Sequence, residues 1–440
     1  MQIINRTFFF LILTGILILS SCEVSYLDND DEWISGDFHL HSDNSDDSDS
    51  DMAELISYAE NAGFGFFVVA DHDKHVIQED GVLIDDRLET WDDEDYTSDS
   101  MIILYGTEWT ACYGHANFFS AEPWDHLYLY QMKVEDRVIG WDPTYLSEGW
   151  HTTDGKSSAP FSLSSCVFEE SEESDSSKDD EVASRTPSID SSIMVRENKW
   201  LISYLVDEVH NLGLHFSVNH PYNDNPWEPN FYEDYDDMEV WNGLYLLGTQ
   251  NVKALEKWDE ILTSGRMLTG RGGSDCHHIS SFESNFLLMG NPTTWVKTDG
   301  EETGEAVLEA LKKGRVSISY DPEGERVDYT ADADGDGSYE TLPGDNLTDG
   351  IGSTINFKIA LDRMVKNKIY FVRVIKNGEI FIRDSFTSRD GTYLFSDTPD
   401  ARSYYRVEIR GSNPEGPDLS ALLQGTMIAV SNPVYVGYDE

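Results

Sequence analysis

The sequence predicts an α/β domain followed by a smaller all-β sandwich domain. From about Trp33 to Tyr320, short apolar runs alternate with amphipathic helical patterns, which is typical of βα units with a parallel sheet or barrel. Beyond Tyr320, short segments of alternating polarity are separated by Gly, Asp and Pro, which indicates a β-sandwich over residues 321–440. The length of 440 residues also favours two domains, because single cores stop growing near ~250–300 residues.

The elements of the first domain follow in order from these patterns. Apolar runs predict strands at Asp37–Leu40, Gly65–Ala70, Ile102–Tyr105, Ala116–Phe119, Leu214–Val218, Met238–Trp241, Met267–Gly270, Thr294–Val296 and Val316–Ser319. Amphipathic periodicity predicts helices at Met52–Ala62, Trp200–Leu212, Val252–Ser264 and Gly304–Lys313. Ser162–Ser192 is almost entirely Ser, Glu and Asp, so we predict a disordered acidic insertion there.

The N-terminus has the composition of a targeting segment. Arg6 supplies a positive charge, Thr7–Leu19 form a short apolar run, and Ser20 and Ser21 precede Cys22. Leu19-Ser20-Ser21-Cys22 resembles the lipobox of bacterial lipoproteins, which implies that residues 1–22 carry the signal and that Cys22 receives a lipid anchor. A plain secretory signal cut elsewhere is the alternative. Residues 23–32 would then form an acidic tether, and the protein would be exported to the cell envelope.

Composition restricts the partners of this chain. Its 83 acidic and 30 basic residues give a formal net charge of -53, while 39% hydrophobic residues are enough for packed cores. Such a charge repels phosphate backbones and anionic lipid, so we predict no nucleic-acid partner and no membrane contact beyond the anchor. Besides Cys22, the cysteines are Cys112, Cys166 and Cys276, whose spacing fits neither a disulfide framework nor a cysteine zinc site.

Five segments place His or acidic residues at or just after the end of a predicted strand. His39 and His41 are two apart on a strand, so they project from one face, roughly 6.6 Å from each other along it. Each segment is weak evidence by itself, including the His39 and His41 pair, but barrel enzymes assemble their sites at this end of the strands. The candidate residues are His39, His41, His72, Glu108, His115, His220, Asp275 and His277. Together they predict a metal centre.

In its order of motifs, residues 33–320 resemble the polymerase-and-histidinol-phosphatase (PHP) superfamily, and above all its CehA/McbA-like metallohydrolase branch. The resemblance includes Met238-Glu239-Val240-Trp241-Asn242 and Gly314-Arg315. It implies a distorted (β/α)7 TIM-like barrel that binds two or three divalent ions such as Zn, Mn or Fe. The implied ligands are the eight candidates above and Asp46, although Asp43 or Asp47 could take the place of Asp46.

The implied reaction is hydrolysis by a metal-activated hydroxide, with His39, His41, Glu108 and Asp275 in the catalytic centre. The resemblance favours a small phosphate mono- or diester, with Arg271 neutralising the phosphoryl group; a structural ion pair is the alternative role for Arg271. Carboxylic esters or carbamates are a second substrate class, for which Trp109, Phe119 and Trp241 could line an apolar pocket. A non-catalytic binding module at the cell surface is a third possibility.

Overall fold

The computed structural model describes most of the chain outside the N-terminus and the long insertion. The described residues are 33–45, 47–72, 90–111, 114–124, 202–203, 205–222, 227, 233–243, 249–279, 288–411 and 426–439, with short strands at 24–25, 76–79, 82–85, 133–134 and 137–138. The predicted signal segment 1–22, the acidic insertion 162–192 and the candidate ligand Asp46 lie outside the described residues, as does most of the tether.

The secondary structure is dominated by strands. Helices are α1 (Met52–Ala62), α2 (Gln250–Ser264) and α3 (Gly304–Lys312), and residues 202–203 and 205–211 are also helical. A short 3-10 turn occupies Thr90–Asp92. The strands of the first half are β1 (Val24–Ser25), β2 (Trp33–Asp37), β3 (Phe66–Phe67), β4 (Val76–Glu79), β5 (Val82–Asp85), β6 (Ile102–Ile103), β7 (Tyr105–Ala111), β8 (Gly114–Ser120), β9 (Lys133–Val134), β10 (Arg137–Val138), β11 (His215–Val218), β12 (Asp237–Asn242), β13 (Thr269–Gly273), β14 (Thr293–Lys297) and β15 (Val316–Ser319). The remaining strands are β16 (Arg326–Asp332), β17 (Asn346–Leu347), β18 (Ile355–Asp362), β19 (Met364–Val365), β20 (Ile369–Lys376), β21 (Glu379–Thr387), β22 (Thr392–Asp397), β23 (Ser403–Gly411), β24 (Thr426–Ser431) and β25 (Val434–Val436).

The predicted (β/α)7 TIM-like barrel is wrong. The described part of the chain contains four helices, and 17% of residues are helical against 40% in strands. Its sheets are mixed: β11, β12 and β13 run parallel, whereas β8 pairs antiparallel with both β7 and β11. Strands β14 and β15 are antiparallel although helix α3 lies between them in sequence. The protein is therefore mostly β.

Two sheets carry the candidate site. One has five strands in the order β13-β12-β11-β8-β7. The other has eleven strands and contains β6, β3, β2, β14 and β15 before it continues into β24, β23 and β25. Ser317 of β15 pairs with Ser431 of β24, so this sheet runs across the boundary predicted near residue 321. The two regions of the chain thus share one hydrogen-bonded framework.

Local sequence explains where helix α1 begins and ends. The Asp51 side chain accepts a hydrogen bond from the backbone N–H of Glu54 and caps α1, and Gly63 ends the helix with a positive φ of 73°. Met52, Leu55 and Ala59 are buried at helical spacing. The observed bounds confirm the predicted helix Met52–Ala62. Among the described residues, no helix is long and apolar enough to cross a membrane.

Candidate metal centre

The described candidate ligands lie together around Glu108. Oε1 of Glu108 is 3.2 Å from His39 Nε2 and 3.3 Å from both His115 Nδ1 and His220 Nε2. Oε2 of Glu108 is 2.8 Å from His72 Nδ1 and 3.5 Å from His41 Nε2. The residues that the structure brings together are His39, His41, His72, Glu108, His115, His220, Asp275 and His277. Positions that are up to 238 residues apart in sequence therefore share one centre.

Strand ends and backbone bonds place the first and last motifs side by side. The backbone N–H of Asp275 donates to the carbonyl of His39 at 2.7 Å, and that of His41 donates to the carbonyl of Cys276 at 3.0 Å. Asp275 adopts a positive φ of 56°, which an Asp residue tolerates better than most. Its carboxylate consequently lies 3.4 Å from the Nε2 atoms of both His39 and His41.

Partners on Nδ1 orient three of the imidazole rings. Nδ1 of His39 lies 3.0 Å from Glu239 Oε1, which can only accept, so this nitrogen carries the proton. The Ser45 hydroxyl donates to Asp71 at 3.0 Å and therefore accepts from Nδ1 of His41 at 3.2 Å. Nδ1 of His277 donates to the carbonyl of Asp275 at 2.9 Å. In all three rings Nε2 is the nitrogen left to hold a cation.

Asp47 supplies a carboxylate to the outer side of the cluster. Its Oδ2 lies 3.2 Å from His72 Nε2 and 3.6 Å from His277 Nε2. Burial opposes its ionisation, but His277 and His72 hold the pKa of Asp47 below its ordinary value. Asp47 is one of the sequence-based alternatives to Asp46, and the structure places its carboxylate beside the Nε2 atoms of His72 and His277.

Burial and neighbouring charges shift the pKa values of the cluster in opposite directions. Burial alone would raise the pKa of Glu108, but His39, His72 and His115 hold it well below its usual range. Burial alone would lower the pKa of His39, but the carboxylates around it, Asp275 foremost, raise it well above its usual range. Burial lowers the pKa of His115 despite Glu108. The cluster thus combines ionised carboxylates with rings of both protonation states.

The donor set fits divalent metal ions. Nε2 of His39 and Nε2 of His41 are fully buried and make no hydrogen bond of normal geometry among the described residues, and the same holds for Oε2 of Glu108. Buried polar atoms are normally satisfied, so such atoms facing one another indicate a missing partner. The histidine and acidic clusters could therefore bind metal ions. Their ligand atoms form overlapping groups: His41, His72, His277; His39, His220, Asp275; His39, His41, Glu108; and Glu108, His115, His220.

Arg271 occupies a different position from the substrate contact considered above. It is fully buried, and Nε donates to Ser217 at 2.7 Å and to Asp237 at 3.0 Å. Its NH1 donates to Glu239 at 3.0 Å and its NH2 to Asn219 at 2.6 Å. All three nitrogens of the guanidinium group are used within the protein, which favours the structural ion pair over contact with a substrate.

Glu239 is the main functional residue to which sequence reasoning gave no role. Its Oε1 faces His39 and Arg271, while its Oε2 accepts from the backbone N–H of His220 at 2.7 Å and from the Asn242 side chain at 2.9 Å. Burial opposes its ionisation, but His39 and Arg271 lower the pKa of Glu239 to about 2. The available signal was an acidic residue inside the apolar strand Met238-Glu239-Val240-Trp241.

Replacing Glu239 with Gln should weaken metal binding without changing the fold. The Gln side chain replaces one carboxylate oxygen with an NH2 group, which would face two of the four neighbouring groups. All four of these groups donate hydrogen bonds to Glu239, so two of them would lose their acceptor. Loss of such an outer partner typically costs about 10–100-fold in metal affinity. Competition with a chelating dye measures this affinity directly.

Glu325→Gln is the matched control, because Glu325 is also buried and accepts from Tyr370 and Lys368, both at 2.7 Å, away from the cluster. Equal metal affinities for the Glu239 and Glu325 variants would show that Glu239 does not position His39.

Metal binding should release protons at neutral pH. Burial would lower the pKa of His72, but Glu108 and Asp47 raise it to about 10. The metal-free ring is therefore protonated at neutral pH, and a ligand ring must be neutral, so binding displaces the proton and affinity rises with pH up to about 10. Calorimetry in buffers of different ionisation enthalpy counts these protons. The His72→Ala variant should release fewer protons on metal binding. An observed binding enthalpy that is identical in all buffers would contradict the prediction.

Comparison with known proteins adds no assignment to this geometry. No family model matches the chain, and no curated protein matches it. Any family relationship therefore depends on the motifs themselves, and function has to be argued from the site.

Proposed function

We propose that this chain is a metal-dependent hydrolase of the PHP type that acts on a small phosphate mono- or diester. The observation that supports the proposal is the shared centre around Glu108, where imidazole and carboxylate groups from the five segments meet. Mixed nitrogen and oxygen ligands of this kind suit Zn, Mn or Fe. The overlap of the ligand groups favours two or three ions over one.

Bound divalent ions would supply a hydroxide at neutral pH and stabilise negative charge on the reacting group. The chain's own residues hold this centre. Glu108 presents Oε1 to His39 and Oε2 to His41, so one carboxylate can serve two ions. Glu239 fixes the ring of His39, and Asp71 fixes that of His41 through Ser45. Because these partners are buried, the ligands are held in place before a metal arrives.

The charge of the centre and the side chains around it bear on the substrate class. The buried carboxylates give the centre negative charge, which would repel an anionic substrate. Bound divalent ions would supply the positive charge that an anionic substrate such as a phosphate ester requires. Carboxylic ester or carbamate hydrolysis remains the second candidate. Phe119, considered for its apolar pocket, is fully buried with Arg271 over its ring at 5.6 Å, so it does not face a substrate. This position removes Phe119 from the three aromatic residues considered for that pocket.

We propose export and a lipid anchor at Cys22, on the lipobox-like motif alone. A non-catalytic surface module is disfavoured because buried ligand atoms without hydrogen bonds are costly in a scaffold that binds no metal.

The test is turnover by protein purified without chelator and supplied with manganese or zinc. The substrates are p-nitrophenyl phosphate, its bis-ester, p-nitrophenyl acetate and a p-nitrophenyl carbamate. We expect metal-dependent hydrolysis of one or both phosphate esters, and chelator should abolish it. Faster cleavage of the acetate or carbamate would assign the second class, whereas metal-replete protein that is inert on all four would support a binding module.

A further inference from the structure

The short strand β1 links the lipid anchor proposed at Cys22 to one part of the C-terminal region. Val24 of β1 pairs with Val365 of β19, and Ser25 pairs with Met364, in an antiparallel register. The chain before Val24 therefore starts on the Lys366 side of β19. Cys22 precedes Val24 by two residues, which span at most about 7 Å when extended. A lipid on Cys22 would consequently bring a bilayer close to the turn between β19 and β20.

The hairpin that follows this turn reverses the charge of the chain. Residues 362–390, which contain β19, β20 and β21, include seven of the 30 basic residues but four of the 83 acidic residues. The basic residues are Arg363, Lys366, Lys368, Arg373, Lys376, Arg383 and Arg389. This segment is therefore net positive in a chain with a formal net charge of -53.

Some of these basic groups already have acidic partners. Lys368 lies 2.7 Å from Glu325, and Lys376 lies 2.7 Å from Asp397. Arg373 stands 3.9 Å from Glu408. These three residues therefore contribute little charge to an external partner.

Arg383 and Arg389 have no ion pair within the part of the chain that the structure describes, and both are exposed. Their acidic neighbours in sequence are used elsewhere. Asp384 lies opposite Val372, on the other face of β21 from Arg383, and accepts from Tyr393 at 3.0 Å. Asp390 accepts from the backbone N–H and the hydroxyl of Thr387 at 2.7 and 2.9 Å. Two arginines of this hairpin are thus available to an anionic surface.

Exposed apolar side chains lie on the same face as Arg383. Ile369 and Phe371 are each 53% exposed. They alternate along β20 on the face that carries Arg373, which is directly opposite Arg383 on β21. Arg389 is next to this face, because its NH2 donates to the Asn367 side chain at 3.5 Å. Exposed apolar residues beside basic ones are typical of surfaces that contact membranes.

We propose that the face formed by Lys366, Ile369, Phe371, Arg383 and Arg389, the hairpin face, lies on an anionic phospholipid bilayer. The proposal rests on the lipid anchor at Cys22, and it does not depend on the hydrolytic reaction. The net charge of the whole chain predicts no membrane contact beyond the anchor. However, exposed charges more than about 10 Å apart are largely screened near physiological salt, so the charges of the hairpin face decide the contact.

Quenching by brominated phospholipid tests this orientation in the full-length acylated protein. Phe371→Trp adds a fluorophore to the hairpin face. Leu212→Trp is the matched control, since Leu212 is 41% exposed and lies outside the C-terminal strands. The 11 native Trp residues are common to both variants, so each variant is compared with the wild type. In vesicles that contain phosphatidylglycerol, we expect quenching of the fluorescence added by Phe371→Trp and not of that added by Leu212→Trp.

Loss of both unpaired arginines should undo this contact. Each basic side chain near an anionic surface favours the docked state about fivefold. Arg383→Gln combined with Arg389→Gln should therefore lower the ratio of docked to undocked protein about 25-fold. Lys253→Gln combined with Lys313→Gln is the matched control, because both lysines are exposed and lie outside the hairpin. Vesicles of phosphatidylcholine alone should also weaken the quenching.

Mass spectrometry of the N-terminal peptide separates the anchor from the orientation. An unacylated Cys22 removes the anchor and this proposal together, while metal-dependent turnover would be unaffected. With Cys22 acylated, equal quenching for Phe371→Trp and Leu212→Trp overturns the hairpin face, as does quenching that survives the loss of both arginines. A dimeric mass without quenching would assign the face to a second copy of the chain instead. Thermal melts establish that all variants are folded.

Discussion

Replacing both His39 and His41 with Ala should abolish hydrolysis and remove metal from the purified protein. Each ring contributes a buried Nε2 atom, and both rings lie within 3.5 Å of Glu108 and Asp275 oxygens. Affinity should fall by more than the ~100-fold that loss of an outer partner costs, because ligand atoms themselves are lost. Metal content by mass spectrometry and turnover of the phosphate esters measure the two effects.

The matched control for this double variant is His278→Ala. His278 follows the candidate ligand His277 directly in sequence, but its side chain is half exposed and pairs with Asp49 at 2.8 Å. It should keep metal and activity. Circular dichroism should show the same strand content in both variants, since the hydrophobic clusters of the core do not include His39 or His41. Undiminished turnover in the double variant would remove the metal centre from the proposed function.

The candidate ligands could be predicted because each interrupts or follows an apolar run or, like His115, directly precedes one. An imidazole or carboxylate at such a position is buried by the strand that precedes it, as His39 and His220 are. These side chains converge when the strands that carry them end at the same edge of a sheet. The sequence therefore identified the residue types and positions of the cluster without the correct fold.

Strand direction could not be predicted from the alternation of helical and extended patterns. A strand, helix and strand usually form a parallel pair, but β14 and β15 are antiparallel neighbours across α3. Likewise β7 and β8 are antiparallel neighbours. Residues 106–111 of β7 lie outside the predicted strand Ile102–Tyr105, because polar residues interrupt the apolar run there. Their polarity reflects the site, since Glu108 faces the cluster from the middle of β7.

Glu239 shows why long-range partners escape sequence reasoning. An acidic residue in the middle of a buried strand is unfavourable unless a cation compensates for it. The compensating residue is Arg271, its direct neighbour on β13 and 32 residues further along the chain. Only the register of β12 and β13 reveals this pair. Asp47 illustrates a different limit, because the acidic run that contains it offers several equivalent carboxylates within a few positions.

Arg271→Met should destabilise the protein by about 3–5 kcal/mol, because it leaves buried carboxylates without their cation. Asp237 and Glu239 are both fully buried, and each loses a bond of 3.0 Å to Arg271. Glu239 would still accept from His39, but without Arg271 its position and charge are less well held. We therefore expect weaker metal binding together with the loss of stability, measured by urea unfolding and by dye competition.

Arg406→Met is the control for Arg271→Met. It separates the stability that is lost on removing any buried arginine from the specific role of Arg271. Arg406 is equally buried and pairs with Asp259 and Glu408, so its loss should destabilise by a similar amount while metal affinity stays unchanged. If Arg271 instead touched a phosphoryl group, Arg271→Met would keep its stability and its metal, and would raise KM or lower kcat only for the phosphate esters. That pattern would restore the substrate-binding role, whereas a joint loss of stability and metal affinity supports Arg271 as the residue that holds Glu239, and through it His39, in place.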